Sequence, residues 1–148
     1  MNELILILGW LGVFSPVAMG ALGSAIGVAI AGQAAIGAMQ ETDGGYGRFV
    51  GAAAIPSSNV IYGIVVMFAL NRTITPENGA ALAGIGLPVA LALLYIGVWQ
   101  GRALASAIAA SKNKPEIFGL ALAPAAIVEG FAVFTFVFAL VLAGAIEG

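Results

Sequence analysis

One carboxylate stands inside an uncharged apolar segment near the end of the chain. Glu129 lies in Ala-Pro-Ala-Ala-Ile-Val-Glu-Gly, residues 123–130, and residues 117–146 hold no other charge. At 1.5 Å per residue, a helix over this segment is about 45 Å long, more than a bilayer core of roughly 30 Å. Glu129 is therefore expected near mid-membrane, where an ionised side chain is costly. Because the segment has no base, the natural partner of this acid is a mobile cation.

Other polar side chains are expected at the same depth. Counted from the adjoining polar turn, Gln100 lies roughly 17 Å along its helix, Glu129 roughly 20 Å, and Ser58 and Asn59 roughly 15–17 Å. If the helices that carry them pack side by side, these four side chains can meet.

A proline next to this level adds backbone oxygen. Pro56 lacks an N–H and crowds the preceding turn, so it bends its helix and can tilt the carbonyl of Ile55 toward a ligand. Tyr62 lies three residues after Asn59 on the same helix face, from which its hydroxyl can donate to Glu129.

This set of oxygens is suited to a small hard cation. Carboxylate, amide, hydroxyl and carbonyl oxygens are the ligands that such ions use. One carboxylate with neutral oxygens balances a monovalent charge, which favours Na⁺ over a divalent ion. A proton carrier needs only a buried acid, so H⁺ stays open. A third interpretation is a polar network that merely holds the helices together.

Composition places the chain in the membrane. Of its 148 residues, 61% are hydrophobic and 8% charged, and none is Cys. This excludes a disulfide framework and a thiolate metal site, and without a basic face we expect no nucleic-acid partner. The charges separate four apolar spans, predicted as transmembrane helices of an all-α membrane protein: residues 4–40, 49–70, 79–110 and 117–146.

The two halves of the chain repeat. The sequence Phe-Ala-Leu occurs at 68–70 and again at 138–140, and the same offset places Asn59 on Glu129. This predicts two helical hairpins in one orientation, residues 1–72 and 73–148. Glycine and alanine stripes along spans one and three predict tightly packed inner helices, with spans two and four outside.

The basic residues indicate the orientation. The first and third connections with their flanks hold four of the five: Arg48, Arg102, Lys112 and Lys114. The positive-inside rule places these connections in the cytoplasm and both termini outside.

Three local motifs, together with this architecture, carry a family resemblance. Residues 55–59, Ile-Pro-Ser-Ser-Asn, followed by Tyr62 and a glycine, resemble the Leu-Pro-Gly-Thr-Gln and Tyr-Gly motif of sodium-type members of one family. Gln100 with the next glycine resembles their Gln-Gly, and Glu129 with the preceding valine their Val-Glu. The chain resembles the duplicated c or K proteolipids of V-type and A-type rotary ATPases. Ser58 and Asn59 stand where those members have longer Thr and Gln.

The resemblance implies a role for each site residue. Glu129 is the ion carboxylate, Tyr62 its hydrogen-bond partner, and the other ligands are Gln100, Ser58, Asn59 and the Ile55 carbonyl. Identical subunits form a ring in the lipid bilayer. The ring turns against a stator subunit that supplies an Arg, and a central stalk docks on its cytoplasmic turns. The chain is then not an enzyme by itself, and its only bound cofactor is the transported Na⁺ or H⁺. A prokaryotic plasma membrane is the expected location.

Two other classes compete with the rotor. A secondary transporter also uses internal repeats and a mid-membrane site, but its repeats are often inverted. A structural or pore-forming membrane protein would not need the buried Glu129, so substitution of that residue separates it from an ion carrier.

Overall fold

The computed structural model describes residues 1–146 and is helical throughout, with no strand in that part of the chain. The helices are α1 Asn2–Gln40, α2 Tyr46–Ala54, α3 Ser58–Leu70, α4 Gly79–Asn113, α5 Phe118–Ala121 and α6 Ala123–Gly144. Two 3₁₀ turns, Ile55–Ser57 and Pro115–Ile117, join α2 to α3 and α4 to α5.

Four stretches are long and apolar enough to cross a bilayer: Asn2–Gln40, Tyr46–Leu70, Gly79–Asn113 and Pro115–Gly144. The predicted fold class, an all-α membrane protein of four spans, is confirmed. The predicted boundary between the two hairpins, at residues 72 and 73, falls in the connection before α4. The second predicted hairpin ends at residue 148, and its last two residues lie outside the described part.

Helices α1 and α4 run parallel, with their backbones in contact. Three glycine pairs face each other, each pair 74 residues apart in sequence: Gly12 and Gly86, Gly23 and Gly97, and Gly27 and Gly101. A Cβ on the second member of each pair would overlap the backbone of the first. The equal spacing shows that the two halves share one orientation. The absence of side chains is what allows this close approach.

The other helices form a second layer. Helix α3 packs on α1, α6 packs on α4 and α3, and α1 and α6 do not touch. Apolar side chains fill the space between the layers in two clusters, one around Leu82 and Leu93 and one around Phe49 and Leu104. The structure therefore places the first and third spans together as the tightly packed layer.

Each end of the bundle has one arginine against helix carbonyls. At one end Arg48 lies 3.5 Å from the Ser111 carbonyl oxygen, and its guanidinium stacks over Phe49 at 4.7 Å. At the other end Arg72 donates to three carbonyls: Ala69 of α3 at 3.1 Å, Ala143 of α6 at 2.9 Å and Ile146 at 2.8 Å. Arg72 thus joins the C-terminal ends of α3 and α6.

Candidate functional site

Glu129 is half-buried in the second turn of α6, facing α3 and α4. Both oxygens of its carboxylate accept hydrogen bonds. The Tyr62 hydroxyl donates to Oε1 at 2.7 Å and the Ser58 hydroxyl to Oε2 at 3.0 Å. The amide nitrogen of Gln100 also donates to Oε2. All three donors are neutral, and within residues 1–146 the one ion pair is Lys112 with Glu41, at the end of the bundle.

Gln100 and Asn59 are fully buried behind the carboxylate. The Asn59 side-chain nitrogen donates to the Gln100 side-chain oxygen and to the Pro56 carbonyl, each at 3.2 Å. This contact turns the Gln100 nitrogen toward Glu129. The Asn59 side-chain oxygen is buried without a hydrogen-bond partner. Such an orphaned acceptor calls for a bound ion or water.

Pro56 interrupts the second span at this level. The 3₁₀ turn Ile55–Ser57 replaces α-helical geometry there, and the Ser58 N–H bonds to the carbonyls of Ile55 and Pro56. The turn begins α3 at Ser58 and points that residue and Tyr62 at Glu129. The Ile55 carbonyl is engaged within the turn, and its role as an ion ligand stays a prediction.

The sequence argument missed Ser24 of α1. Its hydroxyl oxygen accepts the Val60 N–H at 3.0 Å, just behind the site. A serine in a stripe of glycine and alanine is easily counted as one more small residue. The signal that could have found it is that its hydroxyl, once buried, needs a partner.

The site borders an apolar outer surface. Three neighbours of Glu129 on α6 are exposed by 57–64%: Ile127, Phe131 and Phe134. The ring of Tyr62 packs on Phe136 at a centroid distance of 5.5 Å. In the described residues no three acidic, His or Cys side chains come together to hold a metal ion. The site therefore has a single carboxylate, among neutral oxygens, next to an exposed apolar surface.

Fold and site together define a membrane proteolipid built from two helical hairpins with one carboxylate inside the membrane. The sequence pattern of the ATP synthase C subunit family occurs twice in the chain, at residues 11–70 and 83–142. The chain belongs to this family, in duplicated form.

Two relatives support the same family. The chain is 33% identical over 123 residues to the A-type ATP synthase subunit K of Methanocaldococcus jannaschii, a match covering 80% of this chain and 56% of that protein. It is 30% identical over 125 residues to the V-type sodium ATPase subunit K of Enterococcus hirae, covering 82% of this chain and 80% of that protein. The chain thus spans little more than half the length of the first relative. The resemblance to duplicated c or K proteolipids is confirmed.

Proposed function

We propose that the chain is a rotor subunit of an ion-translocating V-type or A-type rotary ATPase, in which Glu129 carries Na⁺ across the membrane. Family membership and the names of both relatives support the rotor. The Enterococcus hirae relative is named a sodium ATPase subunit, which supports the ion. The sequence has no nucleotide-binding motif, so ATP hydrolysis belongs to other subunits and this chain is a non-catalytic part of the motor.

The unpaired Asn59 oxygen is the observation that carries the sodium assignment. The Tyr62, Ser58 and Gln100 side chains each donate to Glu129, whereas the buried Asn59 side-chain oxygen has no hydrogen-bond partner. Leaving a buried polar group unpaired costs free energy, and a cation supplies what an acceptor lacks. One carboxylate with the neutral oxygens of Ser58 and Asn59 matches a single positive charge. Gln100 faces Glu129 with its amide nitrogen, and its role as an ion ligand stays a prediction.

Proton carriage by the same carboxylate is the second candidate. The observation that favours it is that two of the three groups bonded to Glu129 are hydroxyls, of Ser58 and Tyr62, which can turn and accept the proton of a protonated acid. A protonated acid needs no further ligands and can exchange its proton with little rearrangement. The two candidates differ in whether Na⁺ itself occupies the site.

The partners follow from the rotor proposal. Identical subunits form a ring in the bilayer, a stator subunit supplies an Arg that meets each Glu129 in turn, and a central stalk docks on the connections near Arg48 and Lys112. These connections face the cytoplasm, and both termini lie outside, in a prokaryotic plasma membrane.

Carbodiimide labelling tests the ion. Dicyclohexylcarbodiimide is apolar and reacts with the protonated form of an acid that it can reach, and Glu129 is half-buried beside exposed apolar side chains. Bound Na⁺ keeps the carboxylate ionised, so millimolar Na⁺ at fixed pH should slow labelling of membranes while K⁺ does not. Peptide mapping locates the label.

Glu129→Gln gives the background, because the amide has nearly the same shape and cannot form the adduct. The described alternative acids lie near the helix ends: Glu3, Glu41, Asp43, Glu77 and Glu116. A further acid, Glu147, lies outside the described residues. Label on any of these and not on Glu129 refutes the site. Labelling that responds to pH and not to Na⁺ makes Glu129 a proton carrier.

A further inference from the structure

Ser24 caps a helix to which it does not belong. Its side chain is 6% exposed on α1, and its oxygen accepts the Val60 N–H at 3.0 Å. Val60 lies in the first turn of α3, where N–H groups have no acceptor within the helix. The 3₁₀ turn at Pro56 creates this start in the middle of the span, so the orphaned N–H is far from water. Ser24 supplies the missing acceptor.

The backbone of α1 holds Ser24 in place on both sides. A Cβ on Gly20 would lie 2.7 Å from the Asn59 carbonyl oxygen, and one on Gly27 would lie 2.8 Å from the Pro56 side chain. The turn of α1 between these glycines is thus pressed against residues 56–60. The position of the serine hydroxyl is set by this contact rather than by a flexible side chain.

The capped N–H leaves the Pro56 carbonyl, which already accepts from the Ser58 N–H, able to accept one further bond from a side chain. Pro56 lies four residues before Val60 and is its regular α-helical acceptor. Because Ser24 takes the Val60 N–H, the Pro56 carbonyl can accept from the Asn59 side-chain nitrogen at 3.2 Å. That nitrogen also donates to the Gln100 oxygen at 3.2 Å. Fixing the Gln100 oxygen turns its amide nitrogen to Glu129.

We infer that Ser24 is a positioning residue of the ion site. It sets the orientation of the Asn59 and Gln100 amides, and through them the ion affinity of Glu129, without touching the carboxylate. The inference rests on the proposed ion-carrying function. Without the Ser24 hydroxyl the Val60 N–H turns to the Pro56 carbonyl and competes with Asn59, which loosens Gln100.

The positioning role of Ser24 is tested with the variant Ser24→Ala, and Ser15→Ala serves as the control. Ser15 lies on the same helix, and its buried hydroxyl has no hydrogen-bond partner, so its loss controls for removing a hydroxyl from α1. Alanine is smaller than serine and favours helix, so both variants fit the packing. Labelling of Glu129 by dicyclohexylcarbodiimide is followed in membranes over a Na⁺ series at fixed pH, and at the same pH without Na⁺.

Two shifts are expected in Ser24→Ala and neither in Ser15→Ala. The Na⁺ concentration for half-protection rises by about two- to tenfold, as for one weakened hydrogen bond. The labelling rate without Na⁺ at the same pH rises, because a loosened Gln100 amide leaves the Glu129 Oε2 atom open to the reagent.

A double-mutant cycle with Asn59→Ala identifies the route. If Ser24 acts through Asn59, Ser24→Ala adds no shift in the Asn59→Ala background. Additive shifts, wild-type behaviour of Ser24→Ala, or the same shift in Ser15→Ala overturn the inference. Failure of the sodium proposal is distinguishable: wild-type labelling then ignores Na⁺, while the labelling rate without Na⁺ still tests Ser24.

Discussion

Neighbouring hydroxyls at residues 57 and 58 face different partners. Ser58 donates to the Glu129 carboxylate at 3.0 Å, whereas Ser57 is exposed and donates to the Ala54 carbonyl at 2.7 Å. The chain therefore contains a matched pair of serines, one inside the site and one beside it.

If the site carries Na⁺ as proposed, Ser58→Ala should weaken Na⁺ protection of Glu129 from carbodiimide by about two- to tenfold, because one hydroxyl ligand would be lost. Ser57→Ala should leave the half-protecting Na⁺ concentration unchanged. The measurement is the labelling rate of Glu129 in membranes over a Na⁺ series. Equal effects of the two substitutions would show that Na⁺ protection changes because the 3₁₀ turn is disturbed, and not because an ion ligand is lost.

The principal residues of the site were predictable from composition and depth. Polar side chains in an apolar chain are few, and helical rise alone places Gln100, Ser58, Asn59 and Glu129 at one level. Ser24 was not predictable in this way, since its importance depends on which N–H group the neighbouring helix leaves without an acceptor. That depends on the start of α3 and on the glycine contact of α1, both of which are tertiary features.

At the scale of the helices, the contact between α1 and α4 allows no added atoms. A Cβ on Gly97 would lie 2.5–2.9 Å from backbone atoms of Gly23, whereas one on Gly84 of the same helix has open space. Packing therefore requires glycine at position 97 but not at position 84.

Gly97→Val should push α1 and α4 apart and destabilise the fold by about 1–3 kcal/mol or more, as overpacking does. Gly84→Ala should be neutral or stabilising by up to about 1 kcal/mol. Thermal denaturation in detergent, followed by circular dichroism, compares the two. Similar melting temperatures for both variants would show that the glycine pairs do not set the helix spacing.

Arg72 stabilises the C-terminal ends of α3 and α6, a role that is not evident from the amino-acid sequence of the chain. Arg72→Met removes charge-assisted hydrogen bonds to three carbonyls and should cost on the order of 1.5–3 kcal/mol. Arg102→Met is the control, since Arg102 is exposed and stacks on Trp99 at 4.7 Å. Hydrogen exchange at Ala143 and its neighbours should quicken in the first variant alone; a wild-type rate there would contradict the capping role.

The number of spans could be predicted from charge spacing, but the break at the start of the fourth span could not. The sequence predicts one helix over residues 117–146, whereas the structure has a 3₁₀ turn, the short helix α5 and then α6 from Ala123. The prolines at 115 and 124 lie at the starts of the turn and of α6, where a missing N–H costs little. Hydropathy does not register such breaks, because apolar residues continue through them.

For the whole molecule, the surfaces of the inner layer leave room for a second copy. Large apolar side chains remain exposed on both helices of that layer: Trp10, Leu11 and Phe14 on α1, and Leu91, Tyr95 and Trp99 on α4. A single chain leaves these faces uncovered, and the parallel packing of α1 on α4 offers a geometry that a second copy can continue.

We expect a closed homo-oligomeric ring in which α1 and α4 form the inner layer, because the small residues of these helices permit a tight radius. Native mass spectrometry of the detergent-extracted protein should find one large species of fixed subunit number. A monodisperse monomer in mild detergent, with no larger species after crosslinking in membranes, would contradict the ring.

Glu129 lies on α6, in the span that has the smallest buried fraction of the four. In the most apolar stretch of Pro115–Gly144 only 17% of residues are buried, against 39% for Gly79–Asn113. Elements with few buried contacts open at low free-energy cost. Under the proposed function, small movements of α6 would load and unload the ion while the glycine-paired inner layer stays rigid. Fast ion exchange and mechanical stiffness, which conflict within one helix, would then belong to different helices.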